Sequence, residues 1–188
     1  MSGAAPEGRT LQLVPVGSAD PPPWLAGELS RRFGVHTTAG PSLAVRDGWM
    51  DAARGQLLSS AIVDALIDRA EGATCNPEHH WLLAVADADL YAEDHDFVFG
   101  EATVGGCCAV IGLARLRQEG GDDPAVFRRR VLTEAVHELG HVAGLEHCHD
   151  GRCVMFFSGS LGDTDRKGTE PCPACAAVLQ RLGRKHHS

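Results

Sequence analysis

The sequence predicts a mixed α/β (α+β) protein in which a layered sheet lies against helices. Apolar runs typical of buried strands alternate with segments at helical spacing, in the order β-α-β-α-β-β-β-α. The chain has 188 residues, of which 44% are hydrophobic and 22% charged, as in ordinary globular proteins. This length is enough for one core or for two subdomains around a cleft.

The individual elements follow from local patterns. The predicted strands are residues 11–16, 35–39, 81–86, 97–104 and 107–116, and the predicted helices are residues 24–33, 56–70 and 125–144. Pro15 cannot donate to a ladder, so it favours an edge or a strand end for the first strand. Asp123 and Pro124 form an N-cap and first-turn pair for the last helix. We expect residues 40–56 to form a loop.

The segment from Asp87 to Asp96, both included, has five acidic residues and some likeness to a calcium-binding loop. The glycine and the closing glutamate of an EF-hand are missing from their places. We therefore interpret residues 87–96 as a solvated loop.

One stretch has the spacing of a zinc site on a helix, HELGHVAGLEHC. Residues four apart share a helical face about 5–6 Å apart at Cβ, so His137 and His141 can reach one ion. Gly144 can turn the chain through positive φ, which brings His147 back as a third ligand. Three protein ligands leave a fourth position open, as in catalytic zinc sites. Glu138 then fits the general base that activates a zinc-bound water.

Other interpretations of this motif are less favourable. HExxH also occurs by chance on ordinary helices, but the added glycine and third histidine make chance a poor explanation. A zinc hydrolase of another topology would use a glutamate downstream of the motif as its third ligand. Only Glu146 and Glu170 follow the motif, and neither lies on a clear second helix. A zinc-binding module that recognises peptides without turnover has no need of Glu138.

Four cysteines have the spacing of a closed structural zinc site. They are Cys148, Cys153, Cys172 and Cys175, in the pattern C-x4-C followed by C-x2-C. A redox CxxC pair is disfavoured because Cys172 does not follow a strand of a thioredoxin-like unit. His149 is the alternative ligand if one cysteine is not used.

The remaining cysteines are Cys75, Cys107 and Cys108, out of seven. Cys107 and Cys108 open an apolar strand and fit small buried side chains. Residues 1–10 lack the apolar core of a secretory signal, and an odd cysteine count favours metal thiolates over disulfides. We therefore expect a cytoplasmic protein.

The motif and the cysteines together resemble the archaemetzincins, a branch of the metzincin zinc peptidases. The specific likeness spans residues 137–175, HELGHVAGLEHCHDGRCVM followed by CPAC, and a weaker likeness covers most of the chain. The resemblance implies a metzincin-like, mostly parallel twisted sheet with a backing helix and an active-site helix. It implies two zinc ions: a catalytic one on His137, His141 and His147, and a structural one on Cys148, Cys153, Cys172 and Cys175.

The resemblance also implies an activity, zinc-dependent hydrolysis of peptide bonds with Glu138 as base and acid. Met155 would form the Met-turn beneath the imidazoles, and the peptide would lie along an edge strand near residues 97–104. Some metzincins add a tyrosine after the Met-turn, but here Phe156 and Phe157 stand there, and the single tyrosine is Tyr91.

The charge and the composition of the chain limit its possible partners. The formal net charge of −8 argues against nucleic acid, and no apolar run approaches the roughly 20 residues of a membrane span. We expect a monomer acting on a peptide or protein.

We divide the chain into residues 1–144, which include the active-site helix, and a zinc-stabilised subdomain of residues 145–188. Residues 155–171 are too polar to hold themselves in place, so a metal clip would be useful there.

Overall fold

The structure is a computed structural model that describes residues 8–71, 76–117 and 123–185. The strands and helices follow in chain order: β1 (Thr10–Val16), α1 (Pro23–Phe33), β2 (His36–Ala39), β3 (Met50–Asp51), β4 (Gln56–Leu58), α2 (Ser59–Glu71), β5 (His80–Ala86), β6 (Asp89–Ala92), β7 (His95–Val98), β8 (Gly100–Ala102), β9 (Cys108–Gly112), α3 (Pro124–Val142), α4 (Leu161–Arg166) and α5 (Pro173–Lys185).

A five-stranded sheet forms the centre of the fold, in the order β2-β1-β5-β9-β8. Its pairs are parallel except for β8, which runs antiparallel to β9 at one edge. Neighbouring residues of β8 point to opposite faces: Gly100 approaches Glu138 of α3, and Glu101 contacts Ser59 of α2. Helices α2 and α3 therefore cover opposite faces. This confirms the predicted mostly parallel mixed sheet with a backing helix and an active-site helix.

A second sheet, of four short strands in the order β3-β4-β6-β7, corrects two predictions. Residues 56–58 form β4 rather than the first turn of a helix, and residues 87–96 form most of a hairpin rather than a solvated loop. Contacts distant in sequence explain both differences. The side chain of Gln56 donates to Asp89 (Nε2–Oδ2 3.1 Å), and Arg115 donates to the same carboxylate (Nε–Oδ1 2.7 Å).

Strand β1 is an interior strand, and Pro15 is its last residue but one, so of the two predicted places, an edge or a strand end, the structure shows the strand end. Strand β2 pairs with β1 only from Thr10 to Leu13, and the chain has already turned away beside Pro15. The carbonyl of Pro15 instead accepts from the backbone of Leu43 (2.8 Å). No ladder hydrogen bond is needed from the proline nitrogen at this point of the sheet.

Polar contacts with α3 hold the segment from Met155 to Pro171, although the sequence predicts that it is too polar to hold itself in place. Helix α4 begins at an N-cap serine and carries Asp165, which accepts two hydrogen bonds from Arg130 (Nε–Oδ1 2.8 Å, Nη2–Oδ2 2.7 Å). The paired polar side chains therefore stabilise this segment.

The division of the chain into two subdomains at residue 144 stays a prediction. In the described part of the chain, no helix combines the length and apolarity needed to cross a membrane.

Candidate metal centre

Helix α3 ends in the turn that the sequence predicted. Its last backbone bonds run from Leu145 N to Gly140 O (2.9 Å) and from Gly144 N to His141 O (2.8 Å), which is a Schellman arrangement. Gly144 has φ +93°, a conformation that side chains other than glycine rarely adopt. The chain then reverses, and His147 returns toward the helix.

The structure brings His137, His141 and His147 together. Their ring nitrogens lie within 4.8 Å of one another, and Nε2 of His137 is 3.2 Å from Nε2 of His141. The His147 ring lies 4.8 Å from the ring of His141 and 5.4 Å from that of His137, centroid to centroid. The first two side chains are buried and the third is exposed. Such a cluster can accept one cation from the solvent side.

Backbone carbonyls set the tautomer of the two helical histidines. Nδ1 of His137 lies 2.7 Å from the Val154 carbonyl, and Nδ1 of His141 lies 2.8 Å from the Leu145 carbonyl. A carbonyl can only accept, so each Nδ1 carries the proton and each Nε2 has a free lone pair. Burial lowers the pKa of both imidazoles, and Lys167 lowers that of His137 further. Neutral rings with outward lone pairs are the form that binds a metal.

The carboxylate of Glu138 lies against β8. A Cβ atom on Gly100 would stand 2.6 Å from Oε1 of Glu138, so the side chain occupies space that only glycine leaves free. Burial raises the pKa of Glu138 well above its ordinary value, and the carboxylates of Glu134 and Glu101 raise it further. The group therefore has a stronger affinity for a proton than a carboxyl in water.

Met155 is fully buried against α3, and its role as a Met-turn stays a prediction. Gly140 lies between His137 and His141 in the sequence. The Sδ atom of Met155 occupies the space that a side chain on Gly140 would need. Two residues later, Phe157 packs its ring edge-to-face on His147 (5.2 Å between centroids). Tyr91 lies in β6 of the small sheet.

The structure also brings Cys148, Cys153, Cys172 and Cys175 together. Their four sulfur atoms lie within 4.8 Å of one another. The backbone N–H of Cys172 points at Cys153 Sγ (3.2 Å). The backbone N–H of Cys175 is the main cause that lowers the pKa of the Cys172 thiol to about 7. A low thiol pKa favours the thiolate that a metal binds, and the alternative ligand His149 is not in this cluster.

Cys107 and Cys108 lie outside both clusters. Cys108 is a buried free thiol whose pKa burial raises to about 12, which fits the predicted inert side chain. Cys107 is also buried, but it is disulfide-bonded, so the expectation of a chain without disulfides is wrong at this position. Cys75 lies outside the described residues.

A cleft of about 230 Å³ opens over the histidines. Its lining includes β8 with the flanking residues Phe99 and Val104, and also Phe157 and Ser158. The Ser158 hydroxyl is buried and has no hydrogen-bond partner among the described residues. This geometry places an edge strand, the histidine cluster and a buried carboxylate along one groove.

Sequence reasoning missed four residues of this centre: Gly100, Glu134, Ser158 and Lys167. Glu134 precedes His137 by three residues, so helical spacing alone indicates that it lies on the same side of α3 as His137. No local pattern marks the other three, because each reaches the centre from a distant part of the chain.

A histidine cluster at the end of a helix, beside an edge strand of a mostly parallel sheet, defines a zinc metallopeptidase. The chain belongs to Peptidase family M54, whose family model matches residues 43–181. The archaemetzincin of Methanopyrus kandleri is 42% identical over 68% of each chain, and that of Archaeoglobus fulgidus is 38% identical over 83% of this chain and 89% of its own. The crystal structure of the A. fulgidus archaemetzincin with malonate is 35% identical, has a TM-score of 0.76, and covers 89% of this chain and 98% of its own.

Proposed function

We propose that His137, His141 and His147 bind one catalytic zinc ion and that Glu138 is the general base and then the general acid of peptide hydrolysis. The observation that carries this proposal is the pair of fixed tautomers at His137 and His141. Both Nδ1 atoms donate to backbone carbonyls, so both Nε2 lone pairs face one point, which His147 also reaches. Zinc, when bound, supplies a Lewis acid that polarises the scissile carbonyl and lowers the pKa of a water molecule.

Glu138 has the position and the protonation chemistry for proton transfer. Its carboxylate is buried next to the histidine cluster, and burial with nearby carboxylates raises its pKa. Such a group accepts the proton of the attacking water and passes it to the departing amine. Gly100 and the neighbouring strand β8 limit where this carboxylate can lie. The chain therefore keeps the proton carrier in one place during both transfers.

Strand β8 provides the surface for the substrate backbone. It forms the outer edge of the five-stranded sheet, and none of the described strands pairs with its second side. An extended peptide can add to such an edge through backbone hydrogen bonds. A peptide bond held in the cleft that β8 and Phe157 line would then lie over the histidines.

The four cysteines support a second, structural zinc ion. Four sulfur ligands leave no open position, so this site would be closed and would contribute to folding rather than to chemistry. Its backbone donors already favour thiolate at Cys172. The proposed metal content of the protein is two zinc ions.

A comparison of variants on a broad peptide library tests the proposal. Glu138→Ala removes the base, and Glu93→Ala makes the same change at an exposed glutamate that does not line the cleft. We expect Glu138→Ala to lower kcat about 10²- to 10⁴-fold, while Glu93→Ala retains cleavage and all three proteins retain two zinc ions by elemental analysis. If neither the wild type nor Glu138→Ala cleaves any peptide although both zinc ions are bound, a peptide-recognition module without turnover replaces the enzyme.

A further inference from the structure

A fully buried lysine lies directly behind the histidine cluster. Lys167 is 1% exposed, and its ammonium group lies 3.2 Å from Oε1 of Glu134. The same Nζ atom lies 3.2 Å from the Phe156 carbonyl and 3.3 Å from Nδ1 of His137. Glu134 is 2% exposed and also accepts from the Thr164 hydroxyl (2.8 Å). Buried charges are costly unless they are paired, and these two are paired with each other.

This pair connects three parts of the chain. Glu134 lies on α3 one turn before His137, and Lys167 follows the last residue of α4. The bond from Lys167 to the Phe156 carbonyl connects both to the segment that directly follows Cys153. Two residues earlier in that segment, the Val154 carbonyl accepts from Nδ1 of His137. The buried pair thus holds the metal ligand and its carbonyl acceptor in contact.

We propose that Lys167, together with Glu134, is a positioning residue that fixes the ring of His137 for metal binding. The inference rests on the proposed function, because it assigns Lys167 a role toward a proposed zinc ligand. Partners that orient metal ligands typically change metal affinity by about 10- to 100-fold when they are lost.

Lys167 has two opposite effects on metal binding. Its positive charge disfavours a cation nearby, whereas its contacts keep the His137 ring in position. Replacing Lys167 alone would remove both effects at once and would leave Glu134 buried without its counter-ion. The double variant Glu134→Gln/Lys167→Met removes one charge of each sign, so the net charge is unchanged. The amide oxygen can still accept from Thr164, and methionine has a volume close to that of lysine. The remaining effect is loss of position.

A second ion pair on the same helix is the matched control. Asp165 of α4 binds Arg130 of α3 and lies outside the contacts of His137. Asp165→Asn therefore weakens the packing of α4 on α3 without touching the metal ligand. A purely structural role of Lys167 would give the two variants the same pattern of effects.

The experiment measures zinc affinity of the histidine cluster by competition with a chelator, in the full chain with zinc retained on the cysteines, together with the cobalt(II) visible spectrum and Tm. We expect both variants to lower Tm, but only Glu134→Gln/Lys167→Met to weaken zinc binding, by about 10- to 100-fold, and to alter the cobalt spectrum. The apolar replacement Glu134→Met/Lys167→Met, of a kind that proteins commonly tolerate, is measured beside it so that the result does not depend on one variant folding.

Wild-type zinc affinity in a folded double variant would overturn the inference, and so would an equal loss of affinity in Asp165→Asn. A wild-type chain whose histidines bind neither zinc nor cobalt(II) would overturn the proposed function and this inference with it.

Discussion

The carbonyl of Val154 lies 2.7 Å from Nδ1 of His137 and joins the cysteine cluster to the histidine cluster. Val154 directly follows Cys153, and the backbone N–H of Cys148 donates to the Met155 carbonyl (2.9 Å) on the other side of it. The loop that carries two of the four sulfur atoms therefore also carries the acceptor that orients a proposed catalytic ligand. The two clusters share a backbone as well as the peptide bond between His147 and Cys148.

This connection predicts that damage to the cysteine cluster weakens the histidine cluster. We expect Cys172→Ser to lower zinc affinity of the histidines about 10-fold, because a loosened loop no longer keeps Val154 against His137. Chelator competition measures the affinity. His149→Ala, a change at an exposed residue beside the cluster, should leave it unaltered. Unchanged affinity in Cys172→Ser would show that the two sites are independent.

Gly100 is predicted to be necessary for the position of Glu138. A methyl group there would stand 2.6 Å from Oε1 of Glu138 and 2.7 Å from the carbonyl of Val110, so the carboxylate and the strand must both shift. We expect Gly100→Ala to lower kcat about 10²-fold, with zinc content unchanged. The control Gly27→Ala adds a methyl group on α1 where no atom lies within 4 Å, and it should retain full activity. Full activity of Gly100→Ala would contradict the prediction.

Gly140 and Met155 are predicted to be energetically coupled. The sulfur of Met155 fills the space beside Gly140, so Gly140→Ala overpacks the core and should lower the free energy of unfolding by about 1–3 kcal/mol. Met155→Ala should lower it by about 2–5 kcal/mol through the cavity that it leaves. In the double variant the added methyl group enters that cavity, so the loss should be smaller than the sum of the two. Chemical denaturation measures all three, and strict additivity would count against the contact.

The Arg130–Asp165 pair should make stability depend on acidity. The guanidinium group of Arg130 holds the pKa of Asp165 below its ordinary value. A depressed folded-state pKa stabilises the protein above the unfolded-state pKa of about 3.9, and this contribution is lost as the pH falls through the folded-state pKa. Because Asp165 is 35% exposed, solvent screening limits the contribution to about 1 kcal/mol.

The measurement compares the wild type with Asp165→Asn by urea unfolding at several pH values. The gap between their unfolding free energies should be constant from about pH 6 to 8 and should narrow below about pH 4. A gap that does not depend on pH would mean that the ionised pair contributes nothing.

The predictions that succeeded from the sequence were local ones. Helical spacing placed His137, Glu138 and His141 on α3, and the conformational freedom of glycine placed the turn at Gly144. The predictions that failed concerned segments stabilised by distant partners. Residues 56–58 lie in a strand because β6 pairs with them, and residues 89–92 lie in a strand because β4 and β7 pair with them. The local periodicity of a sequence does not show which distant segment a residue pairs with.

The sequence by itself determined the kind of ligand cluster, because the spacing of histidines on a helix and of cysteines around a short loop follows from bonded geometry. It also determined that a glutamate accompanies the histidines. Only the tertiary structure decided what surrounds them: Gly100 against Glu138, Val154 against His137, and Lys167 with Glu134 behind the ring. Gly100, Val154 and Lys167 lie 38, 17 and 30 positions from the residues that they contact. Burial brings these pairs together, and no repeat or spacing in the chain records it.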